Sequence, residues 1–481
     1  MDALAGPPRT GISRQDVSAG RGLRIATGAG ASLSRRSFLR LLLATAGTAT
    51  MAACVPLRAN PTPEGPSRVQ LVYQDWRTDW FPALAREMLE QFHAIHPNIR
   101  VFYTPDPENL EDKMLADMQA GIAPDVFAGC CAFFPIWAQK GYTLDLRPYV
   151  KADLDQATID DWDAAQYHAL FTRDGRQFGL PKYHGALALF YNKDLFDAAK
   201  IDYPNERWTY REYLDAMKRL TRRDDRSDNP SVFGSMIDVS WDRLQVYVNG
   251  WGGHFVDPRD PTVCRMSEPE ALEALEWVRA RIWDDKVMAN GPAVQNVGTS
   301  KAFASGRLAM VEDGSWALKQ ILSTARFRLG VAPFPAGPRR KVTLATTDGF
   351  GIFAGTRYPD AAWELVKFLI SKDYGRAMAK AHFLQPARAS LVDEWIGFIR
   401  AEYPQQAKEA DFAAFAQGHI QGYSVTTETF ATNQAEAKRL ADEAWAKVFT
   451  LGQAPVDSLK PVCTQIQSAQ RIAGAGGCAC S

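Results

Sequence analysis

The sequence has no net charge, few cysteines and histidines, and no apolar run long enough to cross a membrane. Among its 481 residues, 55 Lys and Arg offset 55 Asp and Glu. A dedicated nucleic-acid binder carries a basic excess, so the composition argues against that class. The patterns G-x-S-x-G, H-E-x-x-H and G-x-x-x-x-G-K-[ST] are absent, which removes the hydrolase elbow, the zinc-protease helix and the phosphate loop. His93 and His96 share a helix face without a third histidine close by, and are expected at a solvent-facing helix end. Neither a metal nor a cofactor is expected. Hydrophobic residues at 46% and charged ones at 23% exclude wholesale disorder. The length suits two to four domains or two large lobes.

The zero charge mixes two populations. Residues 1–53 hold seven Arg, no Lys and only Asp2 and Asp16. Ser34-Arg35-Arg36-Ser37-Phe38-Leu39-Arg40 resembles a twin-arginine export signal, and the apolar stretch from Leu41 is too short and too rich in small residues to span a bilayer. Met51-Ala52-Ala53-Cys54 resembles a lipoprotein cleavage box, with Met51 where Leu is usual, so Cys54 is expected to become a lipidated N-terminus. The Pro-rich residues 54–67 then form a stiff tether. Without residues 1–53 the chain keeps 48 Lys and Arg against 53 Asp and Glu, a mildly acidic balance that favours solubility beside an anionic membrane over adhesion to it.

Six further cysteines stand at 130, 131, 264, 463, 478 and 480. Six allow fifteen full pairings, and spacing does not choose among them. A bridge between the adjacent Cys130 and Cys131 would be strained. A bridge from the Gly-rich tail, residues 471–481, to Cys463 suits an oxidising compartment.

From Arg68 onward the hydrophobic pattern alternates between two periods. Val69–Tyr73, Ile99–Tyr103 and Pro124–Ala128 read as strands. Pro82 opens a helix carrying Leu84, Met88, Leu89, Phe92 and Ile95, and Lys113–Gln119 form a second helix that stops at Gly121. Strand and helix in alternation predict an α/β fold with a parallel sheet. Ligands of such sheets sit beyond the carboxyl ends of the strands, which directs attention to Gln74–Trp80 and Gly129–Phe134. Trp208-Thr209 heads an amphipathic helix with Thr209 as its cap, and Pro269–Trp283, Asp360–Ser371 and Glu436–Leu451 read as helices.

Six segments then fall in a recognisable order: Gly179-Leu180-Pro181 followed by Leu189–Phe196 (LFYNKDLF), Trp208-Thr209, Asn249–Gly253 (NGWGG), Phe303–Met310 with its F-x-x-G-x-x-A-M spacing, Gly314-Ser315-Trp316, and Asp360–Leu369. Together they resemble the extracellular solute-binding proteins of ATP-driven importers, in the sugar-binding family that includes maltose-binding protein. The resemblance spans about residues 69–390. It implies two Rossmann-like α/β lobes joined by hinge crossings, the type II arrangement of periplasmic binding proteins, with crossings near Tyr183–Ala188, Val342–Asp348 and Ala387–Val392. The N-terminal lobe would take residues 68–185 and 346–390, and the C-terminal lobe residues 186–345 and 391–470. The implied function is capture of a small solute, an oligosaccharide first, by a monomer that hands it to the permease subunits of an ABC transporter, outside the cytoplasm and anchored to the membrane by lipid.

A sugar offers hydroxyls at its rim and an apolar C–H face, so its site needs carboxylates or amides together with flat rings. The candidates are Asp75 and Trp76 in the first post-strand loop, Tyr183 and His184 at the first crossing, and Trp241, Trp251 and Trp316 as ring platforms. Asp348, Gly349 and Phe350 complete the set at the second crossing. Two other readings are set against this one. The same transport role could serve a polyamine, a glycerophosphodiester or a metal chelate. An exported carbohydrate-active enzyme would need two carboxylates, such as Asp75 and Asp348, about 5–9 Å apart.

Overall fold

The computed structural model describes residues 68–224 and 229–476. The leader, Cys54, the tether, Cys478 and Cys480 lie outside the described residues.

The first lobe is built on five strands: β1 (Val69–Asp75), β2 (Ile99–Pro105), β3 (Val126–Gly129), β4 (Leu180–Pro181) and, from far along the chain, β11 (Gly349–Ile352). Their order is β2-β1-β3-β11-β4. β1 runs parallel to β2 and β3, while β11 is antiparallel to both of its neighbours. The helix opened by Pro82 spans Phe81–Ile95 and buries Met88, Leu89 and Phe92 as expected, with Ala85 beside them, whereas Leu84 is half-buried and Ile95 at the helix end is exposed. The next helix, Leu110–Ala120, ends where Gly121 takes up a φ of 73°, a left-handed cap that a glycine adopts without Cβ strain. Leu71, Tyr73, Phe92, Phe350, Trp363 and Val366 share one core.

The second lobe centres on β5 (Leu187–Asn192), flanked on both sides by antiparallel partners: β8 (Met310–Gly314) and β9 (Leu329–Pro333). Two short parallel pairs complete it, β6 (Ser235–Met236) with β7 (Met288–Ala289) and β10 (Thr343–Leu344) with β12 (Ser424–Val425). The Y-N-K-D segment has a local reason. The Asn192 Oδ1 accepts hydrogen bonds from the amides of Asp194 and Leu195, at 3.0 and 3.2 Å, and so caps the helix Lys193–Ala199. Thr209 caps Tyr210–Leu220 in a reciprocal box with Glu212.

Three chain passages run between the lobes and are hydrogen-bonded to one another. The Lys182 amide donates to the Asp348 carbonyl (3.1 Å), that of His184 to Gln385 (3.0 Å) and that of Thr346 to Gly185 (3.0 Å). Bonding between strands of different passages makes the joint a small ribbon rather than three loose loops.

One covalent expectation is corrected. Cys463 pairs with Cys264, not with the tail, and their Cα atoms are 5.7 Å apart. The last helix, Leu459–Gly476, lies against the turn that carries Cys264. Gln467 accepts from the Cys264 amide (2.8 Å) and donates to the Thr262 carbonyl (2.6 Å).

Candidate functional site

A cavity of about 470 Å³ opens where the loops that follow the strands of both lobes converge. From the first lobe come Trp76, Thr78 and Trp80 after β1, Cys130 and Cys131 after β3, and His382 and Leu384 at the end of a helix. The second lobe supplies Asp238, Ser240, Asp242, Arg243 and, just after β8, Trp316. Tyr183, Leu344, Thr346 and Asp348 come from the crossings.

The rings are held edge to face. Trp76 meets Tyr183 with centroids 5.4 Å apart at 76°, and Trp316 meets the same tyrosine at 6.5 Å and 89°. Trp80 stacks on His382 at 4.4 Å and 5°. Beneath Trp76 the Lys182 ammonium lies 3.1 Å from the ring centroid. Trp316 can lie back because residue 314 is glycine; a Cβ there would run into the indole.

The polar wall is mostly acidic. Asp238, Asp242 and Asp348 line the cavity together with one guanidinium, Arg243. Burial pushes the Asp348 carboxyl up to about 6, with the nearby Asp242 and Asp75 charges acting the same way against the Thr346 hydroxyl and the Lys182 charge. Burial also raises Asp242. Arg243 sits 5.5 Å from the Trp316 ring centroid and donates to Asp313 through Nη2 at 3.4 Å, while its buried Nη1 has no protein partner. Such a buried donor is costly unless something accepts from it.

Four of the ten residues expected to touch ligand line this cavity: Trp76, Tyr183, Trp316 and Asp348. The other six do not. Asp75 is sealed beneath, paired with Lys182 and accepting from the Tyr73 hydroxyl. His184 opens instead into a separate 220 Å³ cavity with Asp163, Gln385 and His419. Trp241 is a core residue among Phe255, Phe430 and Trp445, its indole N–H bonded to the Glu428 carbonyl at 2.9 Å. Trp251 packs on Tyr210 and Trp277. Gly349 and Phe350 belong to β11, where Phe350 is fully buried.

Along the helix Trp241–Gly250, adjacent residues point to different surroundings. Each residue turns the side chain by about 100°, so Trp241 faces the core while Asp242 and Arg243 reach the cavity. His382 and Leu384 had no signal in the sequence. They reach the cavity because the end of helix Lys372–His382 lies beside the Trp80 loop.

Two α/β lobes, three bonded crossings and a ring-lined cavity between strand ends define a two-lobed solute-binding protein. The chain belongs to the bacterial extracellular solute-binding protein family, whose model matches residues 75–376. A Brucella abortus (strain 2308) relative, named only as a binding protein, is 26% identical over 333 residues, 68% of this chain and 76% of its own length. Among solved structures, the ABC substrate-binding protein Lmo0181 of Listeria monocytogenes, in complex with cycloalternan, superposes with a TM-score of 0.71 at 22% identity, covering 85% of this chain and 99% of its own. UgpB of Mycobacterium tuberculosis, in complex with glycerophosphocholine, gives 0.67 at 18% identity, covering 86% and 100%. These likenesses establish the type II binding-protein fold.

Proposed function

We propose that this protein captures an oligosaccharide between its lobes and delivers it to an ABC transporter permease. The observation that carries the reading is the pairing of wall types in one 470 Å³ cavity: indole and phenol faces from Trp76, Trp80, Tyr183 and Trp316 against three carboxylates and one guanidinium. Rings match the C–H faces of pyranoses and carboxylates accept from their hydroxyls. The cycloalternan complex of the Listeria relative supports the same class. Closure of the lobes on the solute would follow from contacts made only in the closed state.

Tryptophan emission and melting temperature, measured against maltotriose, cycloalternan, diacetylchitobiose and a galacto-oligosaccharide, test the reading. At least one is expected to shift both signals at micromolar concentration. No response to any of them would refute the sugar assignment.

A second reading is favoured by the excess of three carboxylates over one arginine in the cavity wall, which with the indole faces suits a cationic head group. Glycerophosphocholine, the ligand of the UgpB complex, and spermidine belong in the same titration. The enzymatic reading has little support: Asp75, one of its two carboxylates, is committed to Lys182 and does not line the cavity.

The reading includes export by the twin-arginine segment Arg35-Arg36 and anchoring through acylated Cys54. Labelled palmitate is expected in the wild type and absent from Cys54→Ala; equal labelling would rule the anchor out. Arg35→Lys with Arg36→Lys is expected to leave the precursor inside the cell.

A further inference from the structure

Cys130 and Cys131 follow β3 directly, and both line the cavity. Cys264 and Cys463 are bonded to each other, which leaves these two as the free cysteines among the described residues. Their sulfurs stand 2.6 Å apart, closer than two thiols settle without bonding. Cys131 has a φ of 57°, in the left-handed region that a side-chain-bearing residue seldom adopts. The turn is pinned on both sides. The Thr347 hydroxyl of the second crossing donates to the Cys131 carbonyl at 3.1 Å, and a Cβ at the preceding Gly129 would meet the Phe134 ring at 2.5 Å. A backbone held in this way places both sulfurs on one side of the turn, as a ring closed through neighbouring residues requires.

We infer that Cys130 and Cys131 close a disulfide between adjacent residues in the wall of the cavity, and that this bond is more redox-labile than Cys264–Cys463. The oxidant is a second disulfide, either oxidised glutathione or a protein dithiol oxidase. One cysteine thiolate attacks it, releasing a thiol and forming a mixed disulfide. The neighbouring sulfur then displaces the second thiol as the Sγ–Sγ bond forms. Two protons and two electrons leave the cysteine pair and reduce the attacked partner's disulfide to two thiols, so the step balances without any other reagent.

The two bonds among the described residues would differ in lability for a geometric reason. Bridged cysteines usually keep their Cα atoms about 4.4–6.8 Å apart, and Cys264 and Cys463 at 5.7 Å lie inside that range. Neighbouring Cα atoms are held at about 3.8 Å by the peptide itself, so the adjacent bridge is strained, and strained bridges are the more easily reduced. Access acts in the same direction. Cys130 and Cys131 are partly exposed to the cavity, whereas Cys264 and Cys463 are 9% and 4% exposed.

The test needs no solute, so it is independent of the sugar reading. Protein exported to an oxidising compartment is denatured in iodoacetamide without reductant, and its peptides are mapped by mass. The peptide holding both residues is expected unalkylated and two hydrogens lighter than the dithiol. Reduction of the folded protein with graded tris(carboxyethyl)phosphine is then expected to open this bond roughly tenfold or more faster than Cys264–Cys463. In Cys130→Ser with Cys131→Ser, the fast-labelling phase should vanish while Cys264–Cys463 stays intact. Alkylation of both residues before reduction, or linkage of either to Cys478, Cys480 or a second chain, would overturn the bond. Equal reduction rates would overturn its lability.

Discussion

Lys182 and Asp75, 107 residues apart in sequence, form an ion pair whose side chains are 1% and 0% exposed. The same ammonium lies under the Trp76 ring, 3.1 Å from its centroid. Buried charges need a partner, and here the pair also fixes the height of a ring that faces the cavity. Asp75, nominated as a ligand contact, acts one layer below the surface on which the solute would rest.

Removing one partner exposes that dependence. Lys182→Met leaves Asp75 uncompensated and is expected to cost about 3–5 kcal/mol, read by urea denaturation. Asp75→Asn with Lys182→Met should recover much of that stability. It should not recover solute affinity, because Trp76 has still lost the cation beneath it. Full recovery of both would mean that the pair has no role in supporting the ring.

Trp316 touches both lobes' cores and lines the cavity. Trp316→Ala is expected to weaken binding of whichever panel solute the wild type takes by at least roughly tenfold, about 1.4 kcal/mol. Calorimetric titration checks it, beside a melting curve showing that the protein remains folded. Unchanged affinity would remove Trp316 from the site.

Asp348 gives a pH signature. Its folded value of about 6 lies above the ordinary 3.8, so the folded state holds the proton more tightly than the unfolded chain. The stability this contributes is complete below about pH 4 and is lost as the pH rises through 6. Asp348→Asn cannot ionise, so it should gain on the wild type between pH 4.5 and 8, by at most on the order of 3 kcal/mol. Parallel Tm-against-pH curves for the two proteins would contradict the burial argument.

The Cys264–Cys463 bridge joins residues 199 apart. Cys463→Ser is expected to lower stability by about 2–4 kcal/mol, seen by calorimetry without reductant. Adding strong reductant should bring the wild type down to the variant, and a wild type already at the variant's Tm would show that the bridge contributes nothing.

How far these features could be read in advance follows their reach along the chain. Asn192 as cap, Thr209 with Glu212, Gly121 as helix stop and Pro82 as helix start are decided within one helical turn. The strands β1 to β3 and the helices between them followed from periodicity, because half-buried elements repeat their apolar face every two or every 3.6 residues. The ring-bearing turn Gly314–Trp316 also showed locally, since only a glycine lets the indole fold back.

What the tertiary structure alone decided is which side chains face each other. Thirteen tryptophans have the same local appearance whether they end in the core, like Trp241 and Trp445, or in the cavity, like Trp76 and Trp316. Lys182 under Trp76, Cys264 against Cys463, and Arg243 over Trp316 are meetings between segments that only packing brings together. The sequence by itself determined the elements, the family pattern and the separate character of its first 67 residues, because those depend on neighbours a few positions away. The cavity depended on where two lobes and three crossings converge, and long-range contacts of that kind leave no periodic trace in the chain.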